Sequence, residues 1–415
     1  MRRPAKTLIA GTISAIPMLS VLCGAATSQE LPSDVFNNQV QVGDVFSQGF
    51  LNIVTVEDGV DSATVATGNG VQVYADRARL SVTSNQTLSG DVIAQSRIDV
   101  SRRMGLDSSL SAIAVGNSSD VGIRQQTVTG VLTQATTSGV QVTARSQVEG
   151  DFASAGSFVA DATAVGNNQS LNLTNGSAGV RMNQNNGARV LADGGAIMQT
   201  VTGQATVAGV AAGNNISAIG DSASAQRLAI SQINGSSLVQ ASKFTAYGSV
   251  QTAQTSTTAS GNALSALNQG PLLDVTNSQA NSAYVRSQAE GSAYQYGAAE
   301  VSAYGAGNSA IAGNSGAELV MDNTQWTDVG GVEVIASFAG TSGYDSYVQA
   351  SAVGNDVTGY ACSDCNGSID VANRQTNLGD VSARSDVSSG SGRKITGVST
   401  ATGNNASFYV TRPGS

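Results

Sequence analysis

Apolar and polar residues alternate along most of this chain with a period of two. Runs such as Gly90-Asp-Val-Ile-Ala-Gln-Ser-Arg-Ile-Asp-Val100, Gly379-Asp-Val-Ser-Ala383 and Val71-Gln-Val-Tyr-Ala75 are typical. That period marks a β-strand with one buried face. Val, Ile, Thr and Tyr dominate the runs, as a pleated surface favours. No amphipathic run of helical spacing interrupts them. Small residues, mostly Gly and Asn, separate the runs. Both residue types tolerate positive φ, so the chain is expected to turn corners there.

The alternation is itself repeated. The tetrapeptide Ala-x-Gly-Asn recurs at Gly68-Asn69, Gly116-Asn117, Gly166-Asn167, Gly213-Asn214, Gly261-Asn262, Gly354-Asn355 and Gly403-Asn404, and the variant Gly305-Ala-Gly307-Asn308 fills the missing place. These glycines are spaced 48, 50, 47, 48, 46, 47 and 49 residues apart. A second marker runs in phase: Gln39, Gln86, Gln134, Gln184, Gln232, Gln279, Gln325 and Gln375. Two markers on one period define eight repeats. A half-period is visible as well, because Gly90 divides its repeat into 22 and 26 residues and Gly235 divides its own in the same way. The sequence therefore predicts an all-β, right-handed parallel β-solenoid of eight ~48-residue repeats, with two coils in each. Sixteen coils at ~4.8 Å would make a rod roughly 75–80 Å long. The Gln series is expected to be a structural ladder, in which identical amides stack and hydrogen-bond along the axis. The Gly-Asn series is expected to stack as repeat corners. Alternating positions, including Val92, Ala94, Val190, Ala192, Val334 and Ala336, should point inward.

Composition narrows the chemistry. Charged residues are 12% of the chain, Gly accounts for 48 of 415 residues, and there is no His. Without His, the Ser-His-Asp, Cys-His and His-metal sites are excluded. Asp58 and Asp61 are the nearest approach to a carboxylate pair, and acidic residues do not recur at one place in the period. No phosphate-binding glycine motif and no calcium-binding nonapeptide is present. No catalytic, cofactor-binding or metal-ligating residue is assigned. Proline is scarce; only Pro271 sits within the array, where it must occupy a loop because stacked strands cannot spare an N–H.

Residues 1–28 carry the three parts of a secretory signal: Arg2, Arg3 and Lys6, an apolar stretch from Leu8 to Leu22, then small residues ending at Ser28. A Sec-type export signal is expected, followed by a short segment at 29–35, a solenoid at 36–412 and a tail at 413–415. Removing three cations leaves 17 against 29 acids, a net charge of −12. So acidic a surface is unsuited to nucleic acid. Cys362 and Cys365, in Cys-Ser-Asp-Cys, fall where the Gly-Asn to Gln interval lengthens. Export favours oxidation, so a disulfide stapling a protruding loop is expected. Zinc would need two further ligands. Aromatic residues concentrate late, at Tyr284, Tyr294, Tyr296, Tyr304, Trp326, Phe338, Tyr344, Tyr347 and Tyr360. They read either as stacks between coils or as platforms for sugar rings.

The Ala-x-Gly-Asn series, the segment Val371-Ala-Asn-Arg-Gln-Thr-Asn377 and the insertion Ala361-Cys-Ser-Asp-Cys-Asn-Gly367 resemble the holdfast anchor protein HfaD family of stalked and budding bacteria. The resemblance covers essentially the whole chain beyond the signal. It implies a non-catalytic protein of the outer surface, associated with the outer membrane, that ties a polysaccharide holdfast to the envelope. It also implies export through a curli-type lipoprotein pore and a small amyloid-like companion protein. Self-association is expected from the residues themselves, because solenoid ends are unpaired sheet edges. Two other readings stay open: a solenoid that binds carbohydrate or ice, and a β-helix enzyme that cleaves polysaccharide.

Overall fold

A computed structural model describes residues 33–362 and 367–411. The signal expected at 1–28, Cys365 and the tail at 413–415 lie outside the described residues. Strands run from Ser33 to Thr411, so the first begins inside the stretch expected as a short lead-in. All pairing is parallel, in an eight-stranded and a twelve-stranded sheet that together make a parallel β-solenoid.

Each repeat begins with a short strand that carries the Gln marker, as in Ser177–Asn186. The chain then turns and continues around the coil as Arg189–Gly220. In the first three repeats and the last this second path is split in two, as in Val92–Arg103 and Asp107–Arg124. The next Gln strand, Ala225–Asn234, lies directly over the previous one, with Gln184 opposite Gln232. Every strand pairs with its counterpart one full period away: Gln39 with Gln86, Val190 with Val239, Asn214 with Asn262. A coil is therefore one whole period, and there are eight coils, not sixteen. The stack is roughly 40 Å long at the usual strand spacing, about half the sequence expectation. The half-period at Gly90 and Gly235 is a corner within a coil. A small residue between two alternating runs looks the same whether the chain is turning a corner or closing a coil. Only the pairing partner separates the two.

The Gly-Asn marker sits inside continuous strand. In Asp107–Arg124 inward and outward residues alternate up to Gly116, then Gly116 and Asn117 both point inward and the alternation resumes in opposite phase. Two successive inward residues bend the strand. Positive φ is not what requires glycine there, since none of these glycines is among the residues with φ in that range. The requirement is space: a Cβ on Gly68 would lie 2.5 Å from the carbonyl oxygen of Gly116 in the next coil. Pro271 falls in the turn between Asn268 and Leu272, where its carbonyl accepts from the Glu318 N–H and no N–H is needed from it.

Candidate functional site: ladders, wall and groove

The Gln residues form one continuous ladder. Gln86 Nε2 donates to Gln39 Oε1, and Gln134, Gln184, Gln232, Gln279, Gln325 and Gln375 each donate to the preceding Gln, at 2.7–3.0 Å. The Asn residues of the Gly-Asn marker form a second, running the other way. Asn69, Asn117, Asn167, Asn214, Asn262, Asn308 and Asn355 each donate to the following Asn, ending at Asn404, at 2.7–2.9 Å. The ladders are also stitched to each other. Gln184 donates its second N–H to the carbonyl of Asn215, the residue after Asn214. Asn214 donates its second N–H to the carbonyl of Ile233, the residue after Gln232. In the inner coils both amide hydrogens and the oxygen of each Gln are thus used. Burial without those partners would be costly; with them the network fixes register.

The stitched ladders form a polar wall across the interior. Apolar residues that follow Gln and precede Gly-Asn, such as Leu88, Val190, Ala192, Val334 and Ala336, pack in one cluster. Those that follow Asn and precede Gln, such as Ile123, Leu132, Met182 and Ile216, pack in another. Val92, Ala94, Val190, Ala192, Val334 and Ala336 are fully buried, on the inward side expected of them.

Two features of the interior escaped the sequence. Beside the wall runs a third, shorter ladder, Thr136 to Asn186 to Asn234 to Asn281, bonded in series. Thr327 replaces Asn at its next place, so the residue identity does not repeat along the whole chain. The second feature is Lys243, a lysine in the apolar interior with 1% exposure. Its Nζ donates to Ser146 Oγ at 2.7 Å and to the Asp193 carbonyl at 3.0 Å. Burial pushes its pKa down to about 7, against the opposing pull of Asp193 and Asp161. Gly209 leaves room beneath it, since a Cβ there would lie 3.1 Å from Lys243 Cε. Its alternation parity, matching Val239 and Ala241, was the available signal.

The outer surface carries a groove along the bend where the strands slip register. One stretch, of about 650 Å³, is lined by Asn52, Arg97, Asp99, Glu149 and Phe152. The next, of about 390 Å³, is lined by Met198, Gln199, Tyr247, Tyr294 and Thr341, and both include Asp151 and Ile197. Arg97 is held by Asp99 and Glu149 at 2.7 and 2.6 Å. The late aromatics divide between the interior and the surface. Tyr296 packs edge-on against Phe338 inside, at 5.0 Å, and Tyr360 stacks on Tyr409 at 5.7 Å. Tyr294 and Tyr344 stand exposed on the surface. Of the acidic pair, the Asp58 backbone carbonyl accepts from the Leu106 and Asp107 N–H groups, and the Asp61 carboxylate accepts from Ser109 Oγ. Among the described residues no cluster of three potential metal ligands occurs, and no helix is long and apolar enough to cross a membrane. Cys362 is disulfide-bonded and buried at the end of the strand Val332–Cys362, and so does not itself project from the sheet.

The family model described as Holdfast attachment protein D matches residues 54–331 and 334–414. The chain belongs to the holdfast attachment protein D family. Holdfast attachment protein D of Caulobacter vibrioides is 44% identical to it over 69 residues, which is 17% of this chain and 23% of that protein. The matched segment thus spans under a quarter of the curated relative. No solved structure matches this chain. The family match runs across nearly every coil, so the ladders and the wall are features of a holdfast attachment protein D chain and not of an appended domain.

Proposed function

We propose that this chain is an exported, non-catalytic structural protein of the outer cell surface that anchors an adhesive polysaccharide holdfast to the envelope. The observation that carries this reading is the family match along almost the whole solenoid. Physical support comes from the scaffold. Its interior is occupied by amides bonded from coil to coil, which gives a stiff, register-locked stack suited to bearing load. Its outer groove combines exposed aromatic faces at Phe152 and Tyr294 with fixed polar groups at Arg97, Asp99 and Glu149, the chemistry that grips sugar rings and their hydroxyls. Partners in this reading are the holdfast polysaccharide, a curli-type outer-membrane secretion lipoprotein and a small amyloid-like companion. The test is deletion in the native cell. Cells without the chain should still make adhesive polysaccharide but release it into the medium. Normal retention on the cell, or cleavage of the polysaccharide by the purified chain, would overturn the reading.

A further inference from the structure

The two ladders have direction, and at the ends of the solenoid that direction leaves complementary groups. Each Gln donates to the coil before it, and among the described residues no coil precedes that of Gln39. Its Nε2 uses one hydrogen on the Gly70 carbonyl, and among the described residues the other is unpartnered. At the far end Gln375 donates to Gln325 and to the Asn405 carbonyl, and its Oε1 accepts from no described residue. The Asn ladder is reversed. Asn69 Oδ1 accepts from no described residue, and Asn404 accepts from Asn355 while its Nδ2 donates to no described residue. One end therefore offers a Gln donor and an Asn acceptor, and the other offers a Gln acceptor and an Asn donor.

Three further observations point the same way. Among the described residues, backbone groups on the outer edges of the first and last coils have no neighbouring strand in either sheet. Both apolar clusters run out half-covered at the ends: Val45 and Ile53 against Val381 and Val387 in one, Val35 and Val73 against Ile369 and Val371 in the other. When the register is carried one coil further, Arg393, already paired with Asp345, meets the level of Asp58, and Lys394 that of the neighbouring Gly59. Tyr409, already stacked on Tyr360, meets Tyr74. Asp34 would then face Asp370, a like-charge contact that costs little beside these gains.

We propose that copies of this chain stack head to tail, the last coil of one on the first coil of the next, continuing both ladders and both apolar clusters across the junction. The partner is a second copy of the chain. A head-to-head or tail-to-tail contact would set Gln donor against donor, or acceptor against acceptor, and would make the strands antiparallel.

Two substitutions test this while leaving the internal ladders in place. Gln39→Glu removes the free donor at the first coil, and with it the bond to the Gly70 carbonyl, but still accepts from Gln86. Asn404→Asp removes the free donor at the last coil but still accepts from Asn355. Circular dichroism and melting of the exported chain check that each variant is folded. Sedimentation of the parent should show a concentration-dependent series of multiples. Each variant alone should sediment as a single copy. An equimolar mixture should give a two-copy species and nothing larger, because one open end of each kind remains. A parent that stays single at every concentration would overturn the proposal. So would a variant that pairs with itself, or a mixture of folded variants that stays single. If one variant fails to fold, seeding with the other replaces the mixture: sheared parent stacks should take up the folded variant at one end only, because its other end is blocked, and uptake at both ends or at neither would overturn the proposal. The assay contains no polysaccharide, so its outcome is separate from that of the anchor reading.

Discussion

Single side chains decide the register of this solenoid. Gln184 donates to Gln134 at 3.0 Å and to the Asn215 carbonyl at 2.9 Å, and accepts from Gln232 at 2.9 Å. Gln184→Leu keeps the volume but leaves three buried groups unpaired. At ~1–3 kcal/mol for each, denaturant unfolding should show a loss of several kcal/mol. An unchanged midpoint would mean that the ladder contributes nothing. Lys243 makes a different prediction. Its folded pKa is about 7 against an ordinary 10.5, so between those values the unfolded chain holds a proton that the folded chain lacks. Stability should therefore rise as pH increases from about 7 towards 10, by a few kcal/mol at ~1.4 kcal/mol per pKa unit. Asp193 and Asp161 favour the charged amine and Arg145 opposes it; all three are already included in that pKa. Lys243→Met should flatten the rise in thermal melts taken across this range. A slope that survives the substitution would assign the effect to other groups.

At the scale of the strand, the bend at Gly-Asn requires the absence of a side chain more than a special backbone angle. A Cβ on Gly213 would lie 2.6 Å from the Gly261 carbonyl oxygen, closer than such contacts allow. Gly213→Ala should push adjacent coils apart and cost roughly 1–3 kcal/mol, read as a lowered unfolding midpoint. The same substitution at Gly139, where nothing lies near a built Cβ, tests positive φ alone and should perturb no neighbouring coil. Strand-level features were also the most legible in the sequence. The inward alternation at Val92, Val190 and Val334, and the Gln and Gly-Asn series, appear once per period as the same residue type. What could not be read was pairing. Gly90 and Gly235 mark a corner, and a corner leaves the same local trace as a coil boundary. The third ladder was hidden because Thr136 and Thr327 serve at places where Asn186, Asn234 and Asn281 serve elsewhere. The groove was hidden because the register slips that shape it, as between Val201 and Gln204, bring together residues from different coils.

For the whole solenoid, one property sets all the others: each ~48-residue period is a single coil. The opposed ladders, the wall between two apolar clusters and the complementary ends all depend on residues one period apart being neighbours. Paired cysteines at outward positions test that register most directly. Arg181 and Ala229 are opposite each other on adjacent Gln strands, within the Cα separation a disulfide spans. Arg181 and Gln204, about half a period apart, lie on different sides of one coil. The measurement is oxidative cross-linking of the two double variants, Arg181→Cys with Ala229→Cys and Arg181→Cys with Gln204→Cys, mapped by peptide mass. The first pair should cross-link and the second should not. Cross-linking of the second pair in place of the first would restore two coils per period and contradict the register on which the ladders depend.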